Sequence, residues 1–70
     1  MKNSVNIIAN GKPATVELPC RITDFIQRQG LDPRIVIVEH NGEPLRREQF
    51  ANVELKEGDR LEVVRIVAGG

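Results

Sequence analysis

The sequence has no tryptophan or tyrosine and only two phenylalanines, Phe25 and Phe50, so its 40% hydrophobic content rests on Val, Ile and Leu. Such a composition favours an aliphatic, β-rich core. It has one cysteine, Cys20, which excludes an internal disulfide. Secreted domains of this size are normally braced by several, so the cytoplasm is the expected compartment. One Cys and one His cannot fill a four-ligand zinc site or hold an iron–sulfur cluster. Net charge is also missing: ten basic residues balance ten acidic ones. Nothing here draws the chain over long range to a phosphate backbone or an anionic membrane, so neither nucleic acid nor lipid is expected as a partner. No long apolar run is present. The stretch 5–9 is broken by Asn6 and followed by Asn10-Gly11, too short for a signal-peptide core or a membrane span.

What remains is 70 residues, enough for one module. A chain of this length buries only about 60% of its unfolded surface, which leaves little room for a deep enclosed active site.

Val5, Ile7 and Ala9 alternate with polar neighbours as in a half-buried strand. Asn10-Gly11 tolerates positive φ, and Val16 and Leu18 alternate on the far side, so the two segments form a hairpin with Pro13 at the start of the return. From Ile22 the spacing changes: Ile22, Phe25 and Ile26 share one helical face. Asp24 precedes Arg28 by four, a favourable pair, but Cys20 and Arg21 offer no good capping oxygen. Gly30 can end the helix, and Pro33 prevents a restart.

The β-branched run 35–38 reads as a central strand covered on both faces or nearly so. Asn41-Gly42 marks a turn. Residues 43–53 are polar and irregular, with Pro44 against a regular strand, Leu45 and Phe50 as core anchors, and room for a short helical piece. Lys56-Glu57-Gly58-Asp59 is a further turn, after which Leu61 and Val63 alternate with Arg60 and Glu62. Val64, Ile66 and Val67 then break that alternation: either a bulge shifts the register, or apolar side chains face something outside the domain. Hairpin, helix, strand, crossover and final strand together predict an α+β, ubiquitin-like β-grasp, a mixed four- to five-stranded sheet with one helix packed across it. The expected division is a β-grasp domain over 1–66 and a flexible diglycine tail over 67–70.

Few side chains suggest chemistry. Cys20 has no motif linking it to His40, and His40 reads as a solvated loop residue. Arg46-Arg47 reads as a solvated pair offset by Glu48. Glu54, Glu57, Asp59 and Glu62 form either an acidic rim for a basic partner or the solvent face of a sheet edge. Gly69 and Gly70 are different, since they follow the last strand and close no turn. Lacking side chains, they can lie extended in a narrow channel of another protein. Their carboxylate can attack the α-phosphate of ATP, and a sulfur nucleophile can then displace AMP from the unhindered acyl adenylate. Val64, Ile66 and Val67 are the candidates for partner docking, with Ala68 and Gly69 as the rest of the tail.

The Asn10-Gly11 hairpin, Leu31-Asp32-Pro33, Val38-Glu39-His40-Asn41-Gly42-Glu43, the segment Leu55-Lys56-Glu57-Gly58-Asp59-Arg60-Leu61-Glu62-Val63-Val64 and the final Gly69-Gly70 resemble the ThiS-type sulfur carriers of thiamine biosynthesis. These belong with the ubiquitin-like carriers that include the small subunit of molybdopterin synthase. The resemblance spans nearly the whole chain. It implies a non-enzymatic carrier whose Gly70 is adenylated by an E1-like adenylyltransferase. Gly70 then becomes a thiocarboxylate and gives up its sulfur to thiazole synthase. A sulfur-donor enzyme such as a cysteine desulfurase is implied as a third partner. No cofactor is implied on the carrier, because ATP is used by the activating enzyme. His40 stands where such carriers often have an aliphatic residue, and Phe50 where many have Trp or Tyr. The prolines that often precede the molybdopterin tail are absent, which favours the thiamine branch. The alternatives are the molybdopterin carrier, a ubiquitin-like protein modifier and a plain interaction module.

Overall fold

A computed structural model of the protein describes residues 3–67. Its two Asn-Gly pairs each turn a strand back on itself. Asn10 (φ 50°) and Gly11 (φ 79°) join β1 (Ser4–Ala9) to β2 (Lys12–Glu17). Asn41 (φ 53°) and Gly42 (φ 85°) join β3 (Val36–His40) to β4 (Glu43–Leu45). Two successive positive φ angles are what a two-residue hairpin with the native strand twist requires. The final strand, β5 (Arg60–Arg65), enters between the hairpins and gives the order β2-β1-β5-β3-β4. It runs parallel to β1 and antiparallel to β3. The expected β-grasp is therefore present in its five-stranded form, and β5 rather than β3 is the middle strand.

Helix α1 (Ile22–Arg28) crosses one face. No side chain at Arg21 caps it, and the loop below does the work instead: Ile22 N donates to Val53 O at 3.0 Å and Thr23 N to Phe50 O at 3.2 Å. Asp24 Oδ2 accepts from Arg21 N at 3.0 Å. Its far end closes with Gly30 at φ 76°, Gly30 N donating to Gln27 O and Leu31 N to Ile26 O. These paired bonds satisfy carbonyls the helix would otherwise leave open. Arg28 does not pair with Asp24 as its spacing suggested. It donates to the carbonyls of Glu17 and Pro19 at 3.0 and 3.1 Å, tying the helix to the end of β2.

The core lies between helix and sheet. Ile7, Val16, Cys20, Ile22, Phe25, Ile26, Val36, Val38, Phe50, Leu55 and Leu61 are all buried. Each large aliphatic in that set contributes about 1.5–3 kcal/mol by leaving water.

Two expectations change and one open alternative is decided. The run 35–38 is not covered on both faces: Val36 and Val38 are buried, but Ile35 and Ile37 are 39% and 54% exposed. The helix covers one face, and no described element lies over the other. Pro44 does not exclude a strand, because β4 is at the sheet edge, where a proline is tolerated. No bulge interrupts β5. Its register with β3 advances evenly from Leu61 opposite His40 to Arg65 opposite Val36, so Leu61 and Val63 stay on the core side while Val64 and, beyond the strand, Ile66 face outward, the second of the two readings offered by the sequence. The short helical piece of the crossover is a 3₁₀ turn, Arg47–Gln49.

Candidate functional site

The parity of β5 decides what each side chain can do. Leu61 and Val63 point to the helix, with Leu61 buried and Val63 packed on the core. Glu62 and Val64 point the other way and are exposed. Val64 lies directly opposite Ile37 of β3. Beyond the strand, Ile66 N donates to Ile35 O at 2.7 Å, which carries the pairing one step further. Ile35, Ile37, Val64 and Ile66 thus form an apolar row on the open face, and Val67, 84% exposed, follows it.

The docking residues expected from the sequence, Val64, Ile66 and Val67, are therefore brought together. Ile35 and Ile37 join them unannounced. Their alternation with Val36 and Val38 was hidden in a run without polar residues, and only knowledge of which face the helix covers would have separated them. Ala68, Gly69 and Gly70 lie outside the described residues, so of the tail expected over 67–70 only Val67 is seen.

The acidic residues around the last turn do not form one rim. Asp59 is buried and accepts from His40 Nε2, Asn41 Nδ2 and the Lys56 amide at 2.9, 3.1 and 2.9 Å. Burial pushes its carboxyl up, but these donors outweigh it and hold the group below its ordinary value. His40 is consequently not a solvated loop residue. It is the last residue of β3, with its side chain only 20% exposed, because Asp59 draws the ring inward. Glu57 Oε1 accepts from the Asn6 amide at 2.9 Å. Glu62 alone of the four faces outward beside the apolar row.

The remaining candidates among the described residues are placed as follows. Cys20 is fully buried, and burial pushes its thiol up, away from the reactive thiolate. Arg46 and Arg47 are exposed, as expected. Among the described residues there is no cluster of three potential metal ligands, and no buried side-chain polar atom lacks a partner. No helix among them is long and apolar enough to cross a membrane. The arrangement can present a strand end and a flat apolar surface to another macromolecule.

Comparison with known proteins points the same way. The profile of the ThiS family matches residues 4–70. A Bacillus subtilis protein named sulfur carrier protein ThiS is 41% identical over 49 residues, which cover 70% of this chain and 74% of that protein. A Paramagnetospirillum magneticum protein named thiazole synthase is 29% identical over 66 residues, covering 94% of this chain but only 20% of its own length. The crystal structure of the thiamine biosynthesis protein ThiS from Geobacter metallireducens superimposes with a TM-score of 0.79 at 35% identity, covering 94% of this chain and all of that one.

Proposed function

Because this chain belongs to the ThiS family and is a sulfur carrier protein of thiamine biosynthesis, we propose that Gly70 is the atom-bearing end of that activity. The observation that carries the reading is the course of β5. The strand is hydrogen-bonded on both sides and leads through Ile66 and Val67 toward the tail, beside an uncovered apolar row. A rigid strand and a docking face can fix the tail's origin while its glycines enter a partner's site.

The Gly70 carboxylate attacks the α-phosphate of ATP held by an E1-like adenylyltransferase. Pyrophosphate leaves, and an acyl adenylate remains. Attack on its carbonyl by the terminal sulfur of a donor enzyme's persulfide, such as that of a cysteine desulfurase, expels AMP and gives an acyl disulfide, and a thiol then cleaves the S–S bond, forming a disulfide with the donor's cysteine and releasing the thiocarboxylate. The carrier supplies no acid, base or metal to these steps, binds no cofactor, and is not itself an enzyme. Ala68 and Gly69 serve as the slender segment that passes through the channel, and Val64, Ile66 and Val67 as the seat of the partner.

Thiazole synthase is the acceptor in this reading. The match to a fifth of a protein with that name supports it, since a similar segment there shares a polypeptide with the remaining four fifths. Holding sulfur on a tethered tail raises its concentration at the acceptor and avoids free sulfide. The cytoplasm is the proposed location. Incubation with ATP, a sulfur donor and the activating enzyme, followed by intact mass measurement, tests the reading. The expected result is one oxygen-to-sulfur exchange at Gly70, and an unchanged mass refutes it.

A further inference from the structure

Each hairpin turns on an asparagine followed by a glycine, and that pair carries a reaction of its own. The Gly42 amide nitrogen can attack Cγ of Asn41 and close a succinimide ring. The new C–N bond replaces the bond to Nδ2, which leaves as ammonia, taking up a proton equivalent to the one the Gly42 amide gives to solvent. Water then opens the ring at either carbonyl, giving aspartate or isoaspartate. A glycine nitrogen is easily approached because no Cβ shields it, and no described residue accepts the Gly42 or the Gly11 amide hydrogen. Both asparagines are exposed. The chemistry is therefore open at Asn10 and Asn41 alike, and it is the hold on their carboxamides that differs.

At Asn41 both ends of the carboxamide are tied to the start of β5. Oδ1 accepts from the Arg60 amide at 2.8 Å, and Nδ2 donates to the Asp59 carboxylate at 3.1 Å. His40 Nε2 holds the other oxygen of that carboxylate at 2.9 Å. To reach Gly42, the carboxamide must leave this latch and fold back along its own chain. Asn10 is held less firmly. Its Oδ1 accepts from the Val63 amide at 2.8 Å, but its Nδ2 donates only to a neutral carbonyl, Val63 O, at 3.3 Å. A hydrogen bond to an ionised acceptor is about twice as strong as one between neutral groups. The products also differ in what they meet. A carboxylate at position 41 puts a second negative charge where Asn41 now offers a donor to Asp59, a residue only 8% exposed. Like charges this close, poorly reached by water, oppose each other's ionisation. Isoaspartate lengthens the main chain of the tight turn as well.

We propose that Asn41 is a gated site of self-modification: it converts to aspartate or isoaspartate only in molecules whose His40–Asn41–Asp59 latch has opened, and the converted residue keeps the latch from closing again. The rate then follows the population of opened molecules rather than the exposure of the turn. Asn10, with the same following residue and a weaker hold, is the reference inside the same chain. The conversion needs no partner and is independent of the chemistry proposed at Gly70.

The test follows both asparagines in the full chain during incubation in mildly alkaline buffer, by peptide mapping with mass detection and chromatographic separation of isoaspartate. In urea, where no latch exists, the two should convert at rates within about twofold of each other. In the native chain Asn41 should be slower than Asn10 by at least about threefold. Asp59→Asn leaves one acceptor oxygen where two were used, and should speed Asn41 at least about tenfold while Asn10 stays within about twofold. Native Asn41 converting as fast as Asn10 overturns the proposal. So does an Asp59→Asn chain in which Asn41 is unchanged, or in which both sites accelerate alike. The failure to reclose is read from Asn41→Asp, made directly. Its melting temperature at neutral pH should fall by at least about 4 °C, and adding Asp59→Asn, which removes the facing charge, should restore part of the loss. An Asn41→Asp chain that melts with the native one, or a double variant that regains nothing, overturns the one-way step.

Discussion

His40 Nε2 lies 2.9 Å from Asp59 Oδ2, joining the end of β3 to the residue just before β5. Asn41 Nδ2 reaches the other carboxylate oxygen at 3.1 Å. The Arg60 amide donates back to Asn41 Oδ1 at 2.8 Å, so the turn and the strand hold each other at both ends of one amide.

This latch makes stability depend on acid. The Asp59 carboxyl lies below its ordinary value in the folded chain. A depressed carboxyl contributes stability that is fully present above the unfolded value of about 3.9 and is lost as pH falls through the folded one. Urea midpoints measured from neutral pH downward should therefore drop in the acid range, and Asp59→Asn should flatten that part of the curve. Asp59→Ala, which leaves the Lys56 amide and the Asn41 amide short of an acceptor, should cost about 2–3 kcal/mol at neutral pH.

Asn10 does at the β1–β2 hairpin what Asn41 does at the β3–β4 hairpin. Its backbone amide donates to Leu61 O at 2.8 Å, its Oδ1 accepts from Val63 N at 2.8 Å, and its Nδ2 donates to Val63 O at 3.3 Å. The side chain continues the parallel β1–β5 ladder after β1 itself has turned away. Asn10→Gly keeps the positive φ and removes only the amide. It should lose about 1–2 kcal/mol in equilibrium unfolding, whereas a turn that needs no more than conformational freedom would tolerate the change.

The contrast between these asparagines and the strands around them shows what the sequence could reveal. Asn-Gly announces a tight turn because few residues accept positive φ, and alternation at Val5, Ile7 and Ala9 announces a half-buried strand. Those are local signals, and they sufficed for the first hairpin, the second turn, the helix and the β-grasp order, while the short edge strand after Asn41-Gly42 was masked by Pro44. The Asn10 and Asn41 side chains act on β5, about fifty and twenty residues away in the chain, so no local pattern marks them. The exposure of Ile37 was hidden for the same reason. It depends on one helix covering one face, and a run of four β-branched residues looks alike whether one face or both are covered. His40 was misread because its partner Asp59 sits beyond the crossover.

Phe50 is 2% exposed, and its carbonyl accepts the Thr23 amide at the start of α1. It anchors the irregular crossover both by packing and through the helix terminus. Phe50→Ala should cost about 3–5 kcal/mol, most of the stability of a domain this small. Thermal unfolding followed by circular dichroism should show a fall in midpoint of more than about 10 °C. Phe50→Leu, which keeps the packing volume closer and leaves the backbone bond intact, should recover much of it.

The apolar row and the tail predict separable defects. Ile37→Ser and Val64→Ser change side chains that are 54% and 57% exposed, so each should move the melting temperature by only a few degrees. If the row seats the activating enzyme, the pair should lower kcat/KM for thiocarboxylate formation at least about tenfold, mainly through KM, because the reacting carboxyl is untouched. Deletion of Gly70, or addition of one alanine after it, should abolish thiocarboxylate formation outright while leaving docking affinity near native, because the acyl carbon is then wrongly placed or hindered. A row variant that reacts normally would remove the sheet face from the activation step. An alanine-extended chain that still gains sulfur at its end would show that the partner's channel does not measure the tail at all.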